Sequence, residues 1–189
     1  ICALSTPPGV GAIALIRVSG KDAIGYVQQL FSKDISSAKG YTVHFGKIIS
    51  QNEIIDEVIL TVFRNPHSFT GEDSVEIACH GSIYIQQRIL GLLIQHGCQM
   101  AEPGEFSKRA FYNGKLDLTQ TEAIADLIHA ESESAHRIAI NQMKGGITLE
   151  LATLRSELMH FASLVELELD FAEEDVEFAD RKELEELLT

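Results

Sequence analysis

Glycine and proline are distributed so unevenly that they divide the chain near Leu118. Residues 1–118 contain 12 of the 14 glycines and all four prolines, whereas residues 119–189 contain two glycines and no proline. Because these residues mark turns and disfavour helix interiors, the first part is expected to form strands and turns, and the second to form helices. The sequence therefore predicts two domains, residues 1–118 and residues 119–189.

Charge follows the same division. The formal net charge is −13, but residues 1–118 carry 10 basic and 11 acidic residues, whereas residues 119–189 carry 5 and 17. Nucleic-acid binding requires clustered Lys and Arg to neutralise phosphates. The composition argues against a free-standing nucleic-acid-binding protein, and any such role would require a basic partner.

The cysteines and the hydropathy pattern predict a cytoplasmic protein without a membrane span. Cys2, Cys79 and Cys98 are odd in number and lack CxxC spacing, which fits a reducing compartment. The longest apolar run, near residues 89–94, is far shorter than the roughly 20 residues that cross a bilayer. The chain begins without Met and stops in a helical pattern, so we expect both ends to be cuts.

The first part has the pattern of an α+β domain. Strands are predicted at residues 12–18, 41–49, 54–63, 74–79 and 98–101, and helices at 23–31 and 83–96. The continuous apolar run of residues 12–18 is typical of a strand that is buried on both faces. The order βαββ, an extra strand, then αβ resembles a ferredoxin-like split βαβ core with an insertion.

The second part has the pattern of an all-α domain. Residues 119–122 (TQTE) form a capping box at the start of a helix that Gly145-Gly146 would end. A second helix over 147–165 carries an apolar heptad seam, which requires a partner helix. An acidic stretch follows over 166–180, and a further helix is predicted from about Arg181.

No motif for a nucleotide or a metal is present. The Gly-Lys pairs at 20, 46 and 114 lack the other residues of a P-loop, so this segment cannot bind GTP in that manner. Cys79 and His80 are adjacent and would point to opposite faces of a strand, which disfavours a shared metal ion. We predict no metal ligands and no catalytic residue.

Two charges interrupt apolar strands. Arg17 lies within AIALIRV and Glu76 within SVEIAC, and a buried charge must be paired or face a polar ligand. The pattern allows either a structural ion pair or a ligand site. The Gly- and Pro-rich segments 66–73 and 103–115 are further candidates for a site, with turn and capping chemistry as their alternative role.

Four ordered segments carry a family resemblance: TPPGVGAIALIRVSG, PHSFTGEDSVEIACHG, PGEFSKRAFYNGKLDLTQTEAIADLI and DFAEEDVEF. Together they resemble the N-terminal part of the MnmE (TrmE) family of tRNA-modification GTPases. The resemblance implies that residues 1–118 form a tetrahydrofolate-binding and dimerisation domain, similar to the folate-binding aminomethyltransferase fold with its mixed sheet. Residues 119–189 would be the first helices of the helical domain. One departure is Ser82 in His80-Gly81-Ser82, where a second glycine is frequent.

The resemblance also implies a ligand and its contacts. The family's folate contacts correspond to Arg17, Glu76 and Lys115, and the ligand would be 5-formyl- or 5,10-methylene-tetrahydrofolate. A carboxylate can accept two parallel hydrogen bonds from a pterin ring, which makes Glu76 a suitable anchor. GTP, Mg²⁺ and K⁺ would be bound only by a G domain outside these 189 residues.

For the whole protein, the family implies a homodimer that acts with an FAD- and NADH-dependent partner of the MnmG type, as a heterotetramer. The complex would install (carboxymethyl)aminomethyl at C5 of the wobble uridine, position 34, of tRNA. One alternative is a stand-alone folate-dependent aminomethyltransferase-like protein, which methyl-group transfer by the chain alone would reveal. Another is a helical assembly module without ligand, which would be a stable dimer with a collapsed pocket.

Overall fold

The first part of the chain is built around one five-stranded sheet. The computed structural model describes residues 1–170, in two compact units, Ile1–Asp117 and a second that begins at Leu118. The elements in chain order are β1 Cys2–Leu4, β2 Ile13–Ser19, α1 Ala23–Gln28, β3 Thr42–Ser50, β4 Glu53–Phe63, β5 Ser74–His80, α2 Ile83–Gln95, α3 Glu105–Tyr112, α4 Leu118–Ile128, α5 Glu133–Met143 and α6 Gly146–Asp170.

All neighbouring strands of this sheet are antiparallel. Their order is β1-β2-β5-β4-β3, so β3, β4 and β5 form a meander whose last strand pairs with β2. The predicted α+β class, followed by a helical domain, is confirmed. The strand order differs from a split βαβ unit, because β2 and β3, which flank α1, run in opposite directions.

The helices α1 and α2 cover one face of the sheet. Every second residue of the central strands is buried beneath α1 and α2: Ala14, Ile16, Val18, Val58, Leu60, Val62, Val75, Ile77 and Cys79. The expectation that residues 12–18 are buried on both faces is therefore wrong. The other face of β2 carries Ile13, which is 68% exposed, and the half-buried Leu15 and Arg17. We call this second face the open face.

Two segments of the first unit differ from their predicted structure. The strand predicted at 98–101 is reduced to one parallel bridge between Cys2 and Met100, beside the short β1 that the pattern did not indicate. Residues 105–112, for which no helix was predicted, form α3 after Gly104, whose positive φ of 75° suits the turn into the helix.

The helical unit has one more break than expected. The helix predicted from the capping box begins at Leu118 and ends at Ile128, and α5 begins after Ser132, whose hydroxyl accepts a hydrogen bond from the Ala135 amide. On α6, the apolar side chains of Leu151 and Leu158 are exposed, 59% and 37%. The acidic stretch beyond residue 170, the DFAEEDVEF segment after its first residue and the helix expected from Arg181 lie outside the described residues.

Residues 1–170 contain neither a membrane-spanning helix nor a cluster of metal-ligating side chains. No helix in that range combines the length and apolar character that a bilayer crossing requires. No group of three or more His, Cys, Asp or Glu side chains there is arranged to hold a metal ion.

Candidate functional site

The two charges singled out in the sequence form an ion pair on the open face. Arg17 of β2 lies directly opposite Glu76 of β5 in the strand register. Arg17 Nε and Nη2 both donate to Glu76 Oε1, at 3.0 and 2.7 Å, and the two side chains are 25% and 22% exposed. Arg17 Nη1 and Glu76 Oε2 have no hydrogen-bond partner among residues 1–170. A donor and an acceptor therefore remain available beside each other.

Two aromatic rings contact the guanidinium of this pair. The Arg17 Cζ atom lies 5.2 Å from the ring centroid of Phe69 and 5.6 Å from that of Phe106. Cation–π attraction at these distances restrains the orientation of the arginine head group. The rings come from distant segments, the loop over residues 66–73, here called the 66–73 loop, and α3.

A cluster of buried hydroxyls anchors the 66–73 loop beside the ion pair. Ser19 Oγ donates to Glu72 Oε2 at 2.8 Å and lies 2.6 Å from Thr70 Oγ1. Ser74 Oγ donates to Ser19 Oγ at 3.1 Å, and Ser19 and Ser74 are paired across β2 and β5. Because Ser19 lies two residues after Arg17, both side chains are on the same face of the strand. The loop is therefore fixed to the strands that carry the pair.

α3 is joined to the same loop by an arginine. Arg109 Nη1 donates to Glu72 Oε1 at 3.2 Å, and Arg109 Nη2 donates to Glu105 Oε1 at 2.9 Å. Glu105 in turn accepts from the Glu102 amide. That hydrogen bond, together with Arg109, holds the pKa of the Glu105 carboxyl below its ordinary value.

Lys115 contacts the 66–73 loop at Pro66 and Gly71. Its Nζ donates to the Pro66 carbonyl oxygen at 3.1 Å, and its stem packs against Gly71. A cavity of about 210 Å³ adjoins it, lined by Tyr41, Phe63, His67, Ser68, Phe69 and Lys115. Phe69 contacts Arg17 as well, so this one ring connects the ion pair with the cavity that contains Lys115.

The sequence indicated the charged residues of the site and missed those that hold them. Phe69, Phe106, Glu72 and Arg109 lie in the two Gly- and Pro-rich segments that were identified as candidates, but no role was assigned to them. The i, i+3 spacing of Phe106 and Arg109 would have placed both on one face of a helix, if α3 had been predicted.

The open face also presents an apolar surface beyond the ion pair. Ile13, Val43, Phe45 and Ile59 are 46% to 68% exposed. Phe45 is paired with Ile59, and Ile59 with Ala78, so the side chains are cross-strand neighbours. Ile13, Phe45 and Ile59 line a shallow cavity of about 370 Å³, which extends to His80.

Comparison with known proteins identifies the chain. The fold and site define an α+β domain with a polar, aromatic-lined recess, followed by a helical domain. A family model described as "GTP-binding protein TrmE N-terminus" matches residues 1–115, and a second, "MnmE helical domain", matches residues 118–189. The chain belongs to the MnmE (TrmE) family.

Its relatives are longer than this chain. It is 56% identical over 192 aligned residues to the tRNA modification GTPase MnmE of Flavobacterium johnsoniae. The alignment covers all of this chain and 41% of that relative. It is 58% identical over 191 aligned residues to the tRNA modification GTPase MnmE of Parabacteroides distasonis. That alignment covers 97% of this chain and 41% of the relative. The chain thus spans about two fifths of the length of the curated relatives that it matches.

Proposed function

We propose that residues 1–118 bind a reduced folate, 5-formyl- or 5,10-methylene-tetrahydrofolate, through Arg17, Glu76 and Lys115. The observation that supports this most directly is the free edge of the ion pair, Nη1 of Arg17 and Oε2 of Glu76. A pterin ring offers both hydrogen-bond donors and an acceptor, so its polar edge is complementary to such a pair.

The residues present fit this ligand chemically. Glu76 would accept hydrogen bonds from ring nitrogens, and Arg17 would donate to a ligand oxygen. Lys115 would add positive charge for the anionic glutamate tail, and Phe69 would offer an apolar surface. When bound, the folate would supply a one-carbon unit; the residues of this chain would bind and orient it.

Titration of 5-formyl-tetrahydrofolate into the purified chain tests the proposal. We expect saturable binding, weakened roughly ten-fold or more in Glu76→Gln, because a hydrogen bond to a charged group contributes about 1.5–3 kcal/mol. The matched control is Glu53→Gln, an exposed residue of β4. Absence of saturable binding in the unmodified chain would refute folate binding, and equal binding by Glu76→Gln would refute the role of Glu76.

We further propose that two copies of the chain associate through the open face. Its exposed apolar side chains are Ile13, Val43, Phe45 and Ile59. Contact with a second copy would bury this apolar surface away from water, which is favourable. A domain of this size also gains stability from additional apolar burial. Self-association of this kind fits the homodimer implied by the family.

For the whole protein, we propose the activity printed in the names of its relatives, tRNA modification by a GTPase. It would act in the cytoplasm with an MnmG-type FAD- and NADH-dependent partner on wobble uridine 34. GTP, Mg²⁺ and K⁺ would belong to a G domain outside these residues. The match of residues 118–189 to the MnmE helical domain disfavours the stand-alone aminomethyltransferase alternative.

A further inference from the structure

Arg109 connects the two segments, α3 and the 66–73 loop, whose aromatic rings contact Arg17. It lies on α3 three residues after Phe106, so both side chains leave the same side of the helix. Phe106 contacts the Arg17 guanidinium, whereas Arg109 contacts Glu72 of the 66–73 loop, which carries Phe69. Arg109 does not itself touch the Arg17–Glu76 pair by any hydrogen bond within residues 1–170.

Both carboxylates that Arg109 bridges are themselves fixed. Glu72 accepts a hydrogen bond from Ser19, which follows Arg17 by two residues on β2. Glu105 accepts one from the amide of Glu102, which precedes α3. A continuous series of charge-assisted hydrogen bonds therefore runs from α3 through Arg109 and Glu72 to β2.

We infer that Arg109 is a positioning residue of the proposed folate site. It holds α3 and the 66–73 loop together, so that Phe106 and Phe69 stay against the Arg17 guanidinium and orient its free Nη1. This inference rests on the proposed folate binding and adds to it residues that do not contact the ligand.

The physical basis is preorganisation. An arginine that is free to rotate loses conformational freedom when a ligand fixes it, whereas one already restrained by aromatic contacts and an ion pair loses little. Restoring that freedom should weaken ligand binding about three- to ten-fold while every ligand contact remains in place.

The test compares Arg109→Met with Lys108→Met, in 5-formyl-tetrahydrofolate titrations of the full 189-residue chain. Lys108 is exposed on the same helix, and its side chain makes no hydrogen bond to a described residue. We expect the Arg109 variant to bind about three- to ten-fold more weakly, and the Lys108 variant to match the unmodified chain. If Arg109→Met does not fold, Glu72→Gln replaces it with the same expectation.

A double-mutant cycle separates positioning from general destabilisation. Because Arg109 acts partly through Phe106, Arg109→Met should weaken binding by a smaller factor once Phe106→Leu is present than it does in the unmodified chain. Arg109→Lys, which keeps the charge, should recover part of the lost affinity. Additive losses in the cycle, or unchanged affinity in Arg109→Met, would overturn the inference. If the unmodified chain does not bind 5-formyl-tetrahydrofolate, the proposed function is overturned instead.

Discussion

Arg17 and Glu76 face each other across β2 and β5, and two nitrogens of the arginine share one oxygen of the glutamate. The pair is therefore hydrogen-bonded through Nε, Nη2 and Oε1, whereas Nη1 and Oε2 have no partner among residues 1–170. Such an arrangement can stabilise the empty domain and still offer a donor and an acceptor to a ligand. The two roles that the sequence left as alternatives are compatible in one geometry.

The strength of this pair can be measured in the absence of ligand. In a cycle of Arg17→Met, Glu76→Gln and the double variant, we expect a coupling free energy of about 1 kcal/mol, because both side chains are partly exposed. Urea unfolding supplies the four free energies. The coupling should fall in 1 M salt, and a coupling near zero at low salt would show that the pair does not stabilise the domain.

The buried hydroxyl cluster should contribute to stability through Thr70, which is fully buried. Thr70→Val keeps the shape of the side chain but removes the contact with Ser19 and the acceptor for the Glu72 amide. We expect unfolding free energy to fall by about 1–2 kcal/mol. Thr61→Val on β4, where the hydroxyl has no partner among the described residues, should change it by less than about 0.5 kcal/mol.

Gly81 is required by the close approach of two backbone segments. A Cβ atom at this position would lie 2.6 Å from the Gly11 carbonyl carbon and closer still to its oxygen. Gly81→Ala should therefore destabilise the chain by about 1–3 kcal/mol in thermal or urea unfolding. Gly25→Ala, inside α1 with nothing within 4 Å of the new atom, should stabilise it by about 0.5–1 kcal/mol.

Glu105 should make stability depend on pH in the acid range. Its pKa in the folded chain lies below the ordinary value of 4.5, because the Glu102 amide and Arg109 favour the carboxylate. A depressed pKa adds stability above pH 4.5, and this is lost as the pH falls through the folded-state pKa. Melting temperatures from pH 3 to 6 should decline less steeply in Glu105→Gln. Parallel curves for both proteins would contradict this.

Self-association through the open face should depend on Phe45. Phe45→Lys places a charge in the exposed apolar surface, and sedimentation should then show a monomer at micromolar concentration where the unmodified chain is a dimer. The control, Ile94→Lys, changes an apolar residue of α2 that is 44% exposed. A monomeric unmodified chain, or a dimeric Phe45→Lys variant, would refute the proposed interface.

The sequence predicted most of the elements, since their signals are local. The runs of β-branched and apolar residues in β3 and β4 and the apolar spacing of α2 are contained in short windows. The strand order was not predictable in this way, because β2 pairs with β5 across more than fifty residues of chain. The order of elements along a chain does not determine which strands are neighbours.

The residues of the candidate site also differ in whether a local sequence signal identifies them. Arg17 and Glu76 could be identified because each breaks an apolar strand, whereas Lys115 came from the family resemblance. Phe69 and Phe106 carry no such signal. Their contact with Arg17 depends on where a loop and a helix dock, which is a tertiary property.

The three buried cysteines give the chain internal reporters of local opening. Cys2 lies on the edge strand β1, Cys98 follows α2, and Cys79 lies in the central strand β5, where burial raises the thiol pKa to about 11. A thiol reagent can react only after the surrounding structure opens. Labelling rates at the three positions would therefore rank the stability of the sheet edge against that of its centre.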